Sequence, residues 1–561
     1  MQLQAALAAL PGVKNAGVMM GTPANKDLLK QNDLLTAEAQ AALPDDLIIS
    51  LEGEDGAAAE EALSQVDDLL SRRRTVVQQA YLPKSLAAAA QMQPGAAWVL
   101  ISVPGRYAAG AAQEALRLGK NVFLYSDNVP LADEIALKKE AAEKGLLVMG
   151  PDCGTAIVNG VGLGFANRVR RGPIGLVGAS GTGLQQLTVR IHQLGGGITH
   201  ALGVGGRDLS GEVGAITAQQ SLDLLRRDPE TKVIVLVSKP PAPAVADSVL
   251  RLARMARKPI VVNFIGYGPA TAGPNSGRLH FASSLDAAAE LAVKLAAAPE
   301  ASQISQIFKT SESSKTTANT FAPGQRYLRG LFSGGTLAYE TLLILQDYLP
   351  VVYSNTPLKQ EHALTNSLAS REHTIIDLGE DKFTVGRLHP MLDNTLRLQR
   401  LAQEAGDPTV ALILLDVVLG YGAHPDPAGE LAPAIAKARA RAKAAGRELE
   451  VVAVVVGTDE DPQNLTAQIE QLKAVGARVE TSNQAAASYV GQRLQTLGGA
   501  SPFPPVDLAA LRQPLDAINV GLESFTASLA AQGAPVIHLD WRPPAGGNEK
   551  LMSILERMKK R

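Results

Sequence analysis

Two stretches decide the fold: Ile174-Gly175-Leu176-Val177-Gly178-Ala179-Ser180-Gly181-Thr182-Gly183-Leu184 and Arg326-Tyr327-Leu328-Arg329-Gly330-Leu331-Phe332-Ser333-Gly334-Gly335-Thr336-Leu337. Each is a short apolar run, then a loop of glycine and hydroxylated residues, then a helical pattern. Strand, small-residue loop and helix in that order open a parallel α/β sheet. The elements that follow also correspond. His200–Val204 runs into Gly205-Gly206-Arg207-Asp208, and Thr374–Leu378 runs into Gly379-Glu380-Asp381. Val233–Val237 ends in Ser238-Lys239-Pro240-Pro241, and Ala411–Val417 ends in Leu419-Gly420-Tyr421-Gly422. Ile260–Phe264 then matches Val451–Val456. The chain therefore holds an internal duplication of a flavodoxin-like unit, and the two copies are expected to pack as pseudo-symmetric partners.

Working outward, residues 1–88 read as a small α+β unit with strands at Ala16–Met20 and Leu47–Leu51. Residues 89–170 repeat strand, loop and helix (Trp98–Val103, Ala108–Leu118, Asn121–Tyr125, Leu146–Met149), a Rossmann-like pattern. The duplicated units fall at 171–298 and 326–500, joined by a Ser/Thr/Lys/Gln-rich linker at 299–325. A proline-rich break opens a tail at 501–561, read as strand (Ile518–Leu522), helix, strand (Val536–Leu539), the loop Trp541–Gly547 and a basic helix. Trp541 and Arg542 suit either partner docking or packing on their own domain. The expected class is multidomain α/β.

Composition excludes several functions. Hydrophobic residues are 46% and aromatics 4% of the 561 residues, which suits parallel sheets under Ala-rich helices. A net charge of -2 gives no global field for nucleic acid. The one cysteine, Cys153, rules out an intrachain disulfide and a Cys-rich metal site, and it reads as a buried small residue. No spacing of Asp, His and Cys suggests a metal. No apolar run is long enough to span a bilayer, and the start lacks a signal-peptide core, so a cytoplasmic protein is expected.

A helix N-terminus presents unpaired N–H groups and partial positive charge, and small residues let an anion reach them. Ser180, Gly181, Thr182 and Gly183, with Ser333, Gly334, Gly335 and Thr336, are therefore candidate phosphate ligands; the alternative is that Ser180 and Ser333 are simple N-caps. Cationic candidates sit on loops after strands. Arg207 suits a bidentate grip on a carboxylate or phosphate, or a salt bridge to Asp208. Lys239, between a strand end and a Pro-Pro pair, is either aimed into the cleft by a rigid loop or simply exposed. Arg387 and His389 cluster in the second half, the histidine as base, oxyanion donor or satisfied loop residue. Asp416 reads as a buried cap, and His424 flanks the same loop.

The segments Gly150-Pro151-Asp152-Cys153-Gly154-Thr155, Gly178–Thr182 and Gly203–Asp208 resemble the α-subunit of succinyl-CoA synthetases, and residues 326–498 resemble the last domain of the β-subunit. That resemblance implies phosphate held between two opposed helix N-termini, with Gly205, Gly206, Asp208, Ser126 and Asn128 among the substrate or CoA-binding positions. The chain is similar over nearly its whole length to the FdrA family, through Val18–Lys26, Tyr125–Val129, Lys144–Thr155, Gly205–Ser210, Ser238–Pro241 and Trp541–Gly547. Where the synthetases carry a phosphorylated histidine in Gly-His-Ala-Gly-Ala, this chain has Gly266-Tyr267-Gly268-Pro269-Ala270-Thr271-Ala272, with His280 further on as a packing or surface residue. No segment is left for an ATP-grasp domain. ATP-driven CoA ligation is therefore not expected. The FdrA resemblance implies one component of an oxamate carbamoyltransferase working with two partner subunits, with phosphate or carbamoyl phosphate as substrate and no required cofactor. Binding of CoA, and a non-catalytic scaffold with a vestigial CoA site, stay open.

Overall fold

A computed structural model describes residues 2–8, 10–44, 46–71, 83–266, 278–297, 321–385, 387–495, 497, 515–520, 523–539, 551 and 558. The chain divides into two units, Met1–Gly498 and Gly499–Arg561.

In the first unit, Arg171–Ala179 lies within a seven-stranded sheet ordered Leu279–Phe281, Ile260–Phe264, Val233–Ser238, Arg171–Ala179, Ile198–Gly203, Thr155–Val158, Val161–Gly164. Its first five strands are parallel and, numbered along the chain, run 5-4-3-1-2 across the sheet. This is flavodoxin-like order, in which ligands sit at the carboxyl ends beside the first and third strands. The second sheet is parallel throughout: Tyr353–Ser354, Thr374–Asp377, Tyr327–Phe332, Val410–Val418, Glu450–Val456, Arg478–Glu480. It repeats the same order and adds one edge strand, Tyr353–Ser354. Strands such as Val233–Ser238 and Val410–Val418 are buried along their whole length, which explains their predominantly apolar sequence, with Asp416 the one charged residue in them.

Each Gly/Ser loop leads into a helix: α1 is Gly181–Gln193 and α2 is Gly335–Leu345. Ten of the thirteen residues of α1 are buried, because it is packed on more than one side. Leu184 and Leu187 of α1 share one hydrophobic core with Leu337 and Leu342 of α2 and with Val490. Each such leucine contributes about 1.5–3 kcal/mol by burial. The two copies are thus joined by a common core.

The hairpin Thr155–Val158/Val161–Gly164 was not anticipated by the strand reading. It turns on Asn159-Gly160, both at positive φ (52° and 79°), the sequence pair that favours a two-residue hairpin. The chain beyond it bridges to the second copy: Ala166 pairs with Tyr421, and Asn167 Nδ2 donates to Leu419 O at 2.9 Å and Asp461 Oδ2 at 2.7 Å. The Rossmann-like region is a three-stranded parallel sheet of Trp98–Ile101, Asn121–Leu124 and Val148–Met149, the three strands expected from the sequence. Fully buried Lys138 ties its helix Leu131–Glu143 to the first copy, reaching Glu134 at 2.8 Å and Asp208 at 2.7 Å. The N-terminal region pairs Val13–Met20 antiparallel with Leu47–Gly53.

The second unit contains Ala517–Val520 parallel to Val536–Leu539, with helix Glu523–Ala531 between them. The loop Trp541–Gly547, most of the basic helix, residues 301–320 of the linker and 267–277 lie outside the described residues. Among the described residues no helix is long and apolar enough to cross a membrane.

Candidate active site

The carboxyl ends of both sheets open onto a cavity of about 1180 Å³. It is lined by the N-termini of α1 and α2, by Lys239, Asp152, Thr155, Asp377, Arg387 and His389, and by residues of the N-terminal region. Ser126, Asn128, Gly205 and Gly206 also line it, with Asn128 and Gly205 at positive φ.

The two helix ends touch. Ser180 Oγ and Thr336 Oγ1 share a hydrogen bond, and a side chain at Gly183 or Gly334 would meet Thr336 or Thr182 across the gap. The ends are not equivalent. Ser180 caps α1, its Oγ accepting from Gly183 N at 3.0 Å. Beside this end stands Thr155, whose Oγ1 is buried and has no hydrogen-bond partner, 3.5 Å from where a Cβ on Gly181 would lie. At the other end, Gly334 and not Ser333 is the N-cap. Ser333 N and Gly334 N both donate to the Asp416 carboxylate at 2.8 Å, and Ser333 Oγ donates to it at 3.0 Å. Asp416 in turn pairs with buried Arg397 at 3.3 Å. Any side chain at Gly335 would strike Asp377 Oδ2. The α2 end is therefore already supplied with carboxylate oxygens, and Ser333 is a structural link rather than an open phosphate ligand.

Lys239 Nζ lies 3.3 Å from the Cβ position of Gly335, beside Asp377, and follows the third strand of its sheet as its Pro-Pro loop suggested. Around it, burial holds two acids neutral well above the usual carboxylate range. Asp377 is pushed up to about 6 despite the opposing pull of Lys239. Asp152, open to the cavity yet walled by protein, is pushed up to about 7, with Asp381 and Asp127 adding to the effect. His389 is pushed the other way, down to about 4, by burial and by Arg397. Its Nδ1 accepts from Met391 N at 3.2 Å, so a neutral ring carries its proton on Nε2 and is a donor. That Nε2 lies 2.9 Å and Asp377 Oδ1 3.3 Å from the Cβ position of Gly379.

Other sequence candidates are placed elsewhere. Asp208 is fully buried and binds the start of helix Ile216–Arg227, accepting from Thr217 N at 3.2 Å and Ala218 N at 2.9 Å; it cannot reach a ligand. Arg207 does not line the cavity. Its Nε pairs with Glu134 at 2.9 Å and its Nη2 donates to Val129 O, so its partner is Glu134 rather than Asp208. Ser126 Oγ is spent on Val103 O at 2.6 Å. His424 pairs with Glu430 at 3.2 Å, away from the site. Cys153 is buried and its thiol is pushed up to about 12, which removes it as a nucleophile. Sequence reading missed Asp152, Thr155 and Asp377. Asp377 ends a strand in the loop aligned with Gly205-Gly206, and Thr155 opens the Asn-Gly hairpin; both signals were present.

Three family models match: CoA-ligase over 331–492, CoA binding domain over 169–266, and "AllF, heavy metal-associated domain" over 1–83. The CoA binding match falls on the seven-stranded sheet and not on the three-stranded unit before it. Residues 1–83 contain neither histidine nor cysteine, and among the described residues no group of three His, Cys, Asp or Glu could hold a metal. The thiolate and imidazole ligands of a heavy-metal site are thus missing from this region, and no step is assigned to a metal. Uncharacterized protein YahF of Escherichia coli (strain K12) is 43% identical over 84% of this chain and 92% of its own length. The succinate–CoA ligase [ADP-forming] subunit alpha 1 of Archaeoglobus fulgidus is 31% identical over 25% of this chain, which spans only 48% of that subunit. A solved dinucleotide-forming acetyl-coenzyme A synthetase 1 of Ca. Korarchaeum cryptofilum matches at 16% identity over 71% of this chain and 83% of its own, with a TM-score of 0.29. The near full-length match to YahF, the duplicated sheets and the paired CoA-ligase and CoA binding matches agree, and the chain belongs to the FdrA family of succinyl-CoA synthetase-like proteins.

Proposed function

We propose that this chain is the phosphate-binding subunit of an oxamate-type carbamoyltransferase in allantoin breakdown, converting oxalurate and phosphate to oxamate and carbamoyl phosphate together with two partner subunits. The observation that carries the reading is one cavity in which the α1 end, with its backbone N–H groups and a buried Thr155 hydroxyl without a partner among the described residues, opens toward Lys239 at the α2 end, beside acids poised near neutrality. The match of residues 1–83 to a model named for AllF supports the pathway.

In the reaction, a phosphate oxygen attacks the ureido carbonyl carbon, and the C–N bond to the oxamate amide breaks. One proton leaves phosphate and one arrives on the departing nitrogen, so the step is balanced without an oxidant or nucleotide. Fixing phosphate at α1 supplies alignment. Lys239 and the Nε2–H of His389 stabilise the oxyanion of the tetrahedral intermediate. Asp152, titrating near 7, is suited to hand the proton on. The test is phosphate-dependent breakdown of oxalurate with carbamoyl phosphate quantified, by the chain alone and with its partners. Turnover in the mixture is the expected result; no carbamoyl phosphate in any combination would overturn the reading.

A second reading, a CoA-binding acyl transferase, is favoured by the cavity wall at Val103–Arg106 and Ser126–Asn128 and by the CoA-ligase match. Calorimetry with CoA at millimolar concentration separates the two: heat of binding supports the second, and none excludes it.

A further inference from the structure

Arg387 stands in an unusual electrostatic position. Burial pushes its guanidinium down to about 10, with Asp393 the opposing charge it feels. Among the described residues no carboxylate lies within ion-pair distance of it; its recorded partners are Asn25 Oδ1, which accepts from Nε, and Met19 Sδ, which accepts from Nη2 at 3.4 Å. An amide oxygen and a thioether share hydrogen bonds but cancel no charge. Arg387 is half-buried, and a cation partly withdrawn from water without an anion is costly and ordinarily is paired. Arg387 lines the cavity, so the missing anion has a place to come from.

The N-terminal region holds this side chain in position. Asn25 is almost fully buried at the start of helix Pro23–Gln31, and its Nδ2 donates to Met20 O at 2.8 Å. That bond fixes the amide so that Oδ1 faces Arg387. Lys26, the neighbouring cation, is turned away to Gln40 O at 2.8 Å and Ala42 O, the carbonyls closing helix Ala37–Ala41. Met19, whose thioether Arg387 touches, lines the cavity together with the apolar side chains of Met20, Val385 and Leu388. One unit charge with a planar fork, in an apolar wall, matches a small organic carboxylate better than a multiply charged phosphate.

We infer that Arg387, positioned by Asn25 and walled by Met19 and Met20, forms the carboxylate subsite of the organic substrate, separate from the anion end of α1. The N-terminal domain is then a specificity wall for a short-chain acid rather than a metal carrier, in keeping with its lack of histidine and cysteine. In its choice of oxamate as first probe the inference rests on the function proposed above, whereas the subsite itself stands on the geometry of Arg387.

The experiment is calorimetry on the full chain with oxamate, with a panel of acetate, lactate, pyruvate and malonate, and separately with inorganic phosphate. Expected is that oxamate binds the native chain, that Arg387→Met weakens it at least tenfold, and that phosphate affinity stays within twofold. Asn25→Ala should weaken oxamate severalfold. Asn25→Asp, nearly the same size, should weaken it further, since its carboxylate would occupy the guanidinium; a merely structural asparagine would not separate the two variants in that order. Unchanged oxamate affinity in Arg387→Met, an equal loss of phosphate, or no carboxylate binding to the native chain would overturn the subsite. Binding of another acid in the panel, lost in Arg387→Met, with oxamate silent, would uphold the subsite while overturning the carbamoyltransferase reading.

Discussion

Replacing Thr155 with valine should stabilise the empty protein and weaken its grip on phosphate, two effects of opposite sign from one atom. Thr155 Oγ1 is buried without a partner beside the N-terminus of α1. A buried hydroxyl left unsatisfied costs roughly 1–3 kcal/mol, and valine keeps the shape while removing the polar atom. The ligand-free variant should therefore gain about 1 kcal/mol, seen as a higher urea midpoint for the transition that includes this sheet. If the same hydroxyl donates to bound phosphate, its removal forfeits a charge-assisted hydrogen bond of about 1.5–3 kcal/mol, a rise in Kd of about ten- to a hundredfold. Urea titrations with and without inorganic phosphate, paired with calorimetry, read both quantities on one preparation. Thr155→Ser, which restores the hydroxyl, should recover most of the affinity. A variant that loses stability while its phosphate affinity is unchanged would refute the assignment, because the hydroxyl would then have a structural partner and no ligand.

Two further outcomes follow from the buried charges. Asp416→Asn should destabilise the chain by about 3–5 kcal/mol in urea titration, since it strands buried Arg397 and weakens the bonds to Ser333 N and Gly334 N; a change below about 1 kcal/mol would mean the pair is dispensable. Glu340 accepts from Leu285 N and Asn483 Nδ2, both at 2.9 Å, and burial pushes its carboxyl from 4.5 up to about 7. The folded form therefore holds a proton that the unfolded form releases, so the contribution of Glu340 to stability is largest below about pH 4.5 and falls as pH rises toward about 7. Glu340→Gln should flatten that decline in pH-dependent unfolding, and an unaltered slope would show that Glu340 does not cause it.

The duplication, the strand order and the two Gly/Ser loops were legible because they are written in local pattern: apolar runs, small residues and helical spacing recur in register. Lys239 was legible for the same reason, since a strand end followed by Pro-Pro fixes where the chain points. What stayed hidden depends on contacts distant in sequence. Ser180 and Ser333 look alike, and only Asp416, more than 80 positions away, separates an open helix end from a satisfied one. Asp208 follows Gly-Gly-Arg like a ligand, yet Lys138 and the start of helix Ile216–Arg227 claim it. Arg387 reaches back to Asn25, which no local reading connects. Thr155 was missed for a different reason: its Asn-Gly hairpin falls inside the stretch 89–170 read as a Rossmann-like unit, whereas it joins the sheet of the next domain.

The pseudo-symmetry of the two copies suggests two equal anion sites, but electrostatics argues against it. Two helix N-termini carrying about half a charge each, brought to about 5 Å, repel by about 1 kcal/mol at the effective dielectric of a protein interior. Ser180 and Thr336 are in hydrogen-bond contact, so this repulsion must be met. Asp416 on the first N–H groups of α2, and Asp377 against Gly335, meet it on one side only. No equivalent carboxylate is bonded to Ser180 or Gly183 among the described residues, and the Thr155 hydroxyl beside Gly181 is left without a partner among them. Neutralising one end allows the two helices to pack while leaving the other positive. The asymmetry thus explains how the interface holds and, on the function proposed above, would direct a phosphate to α1 rather than α2.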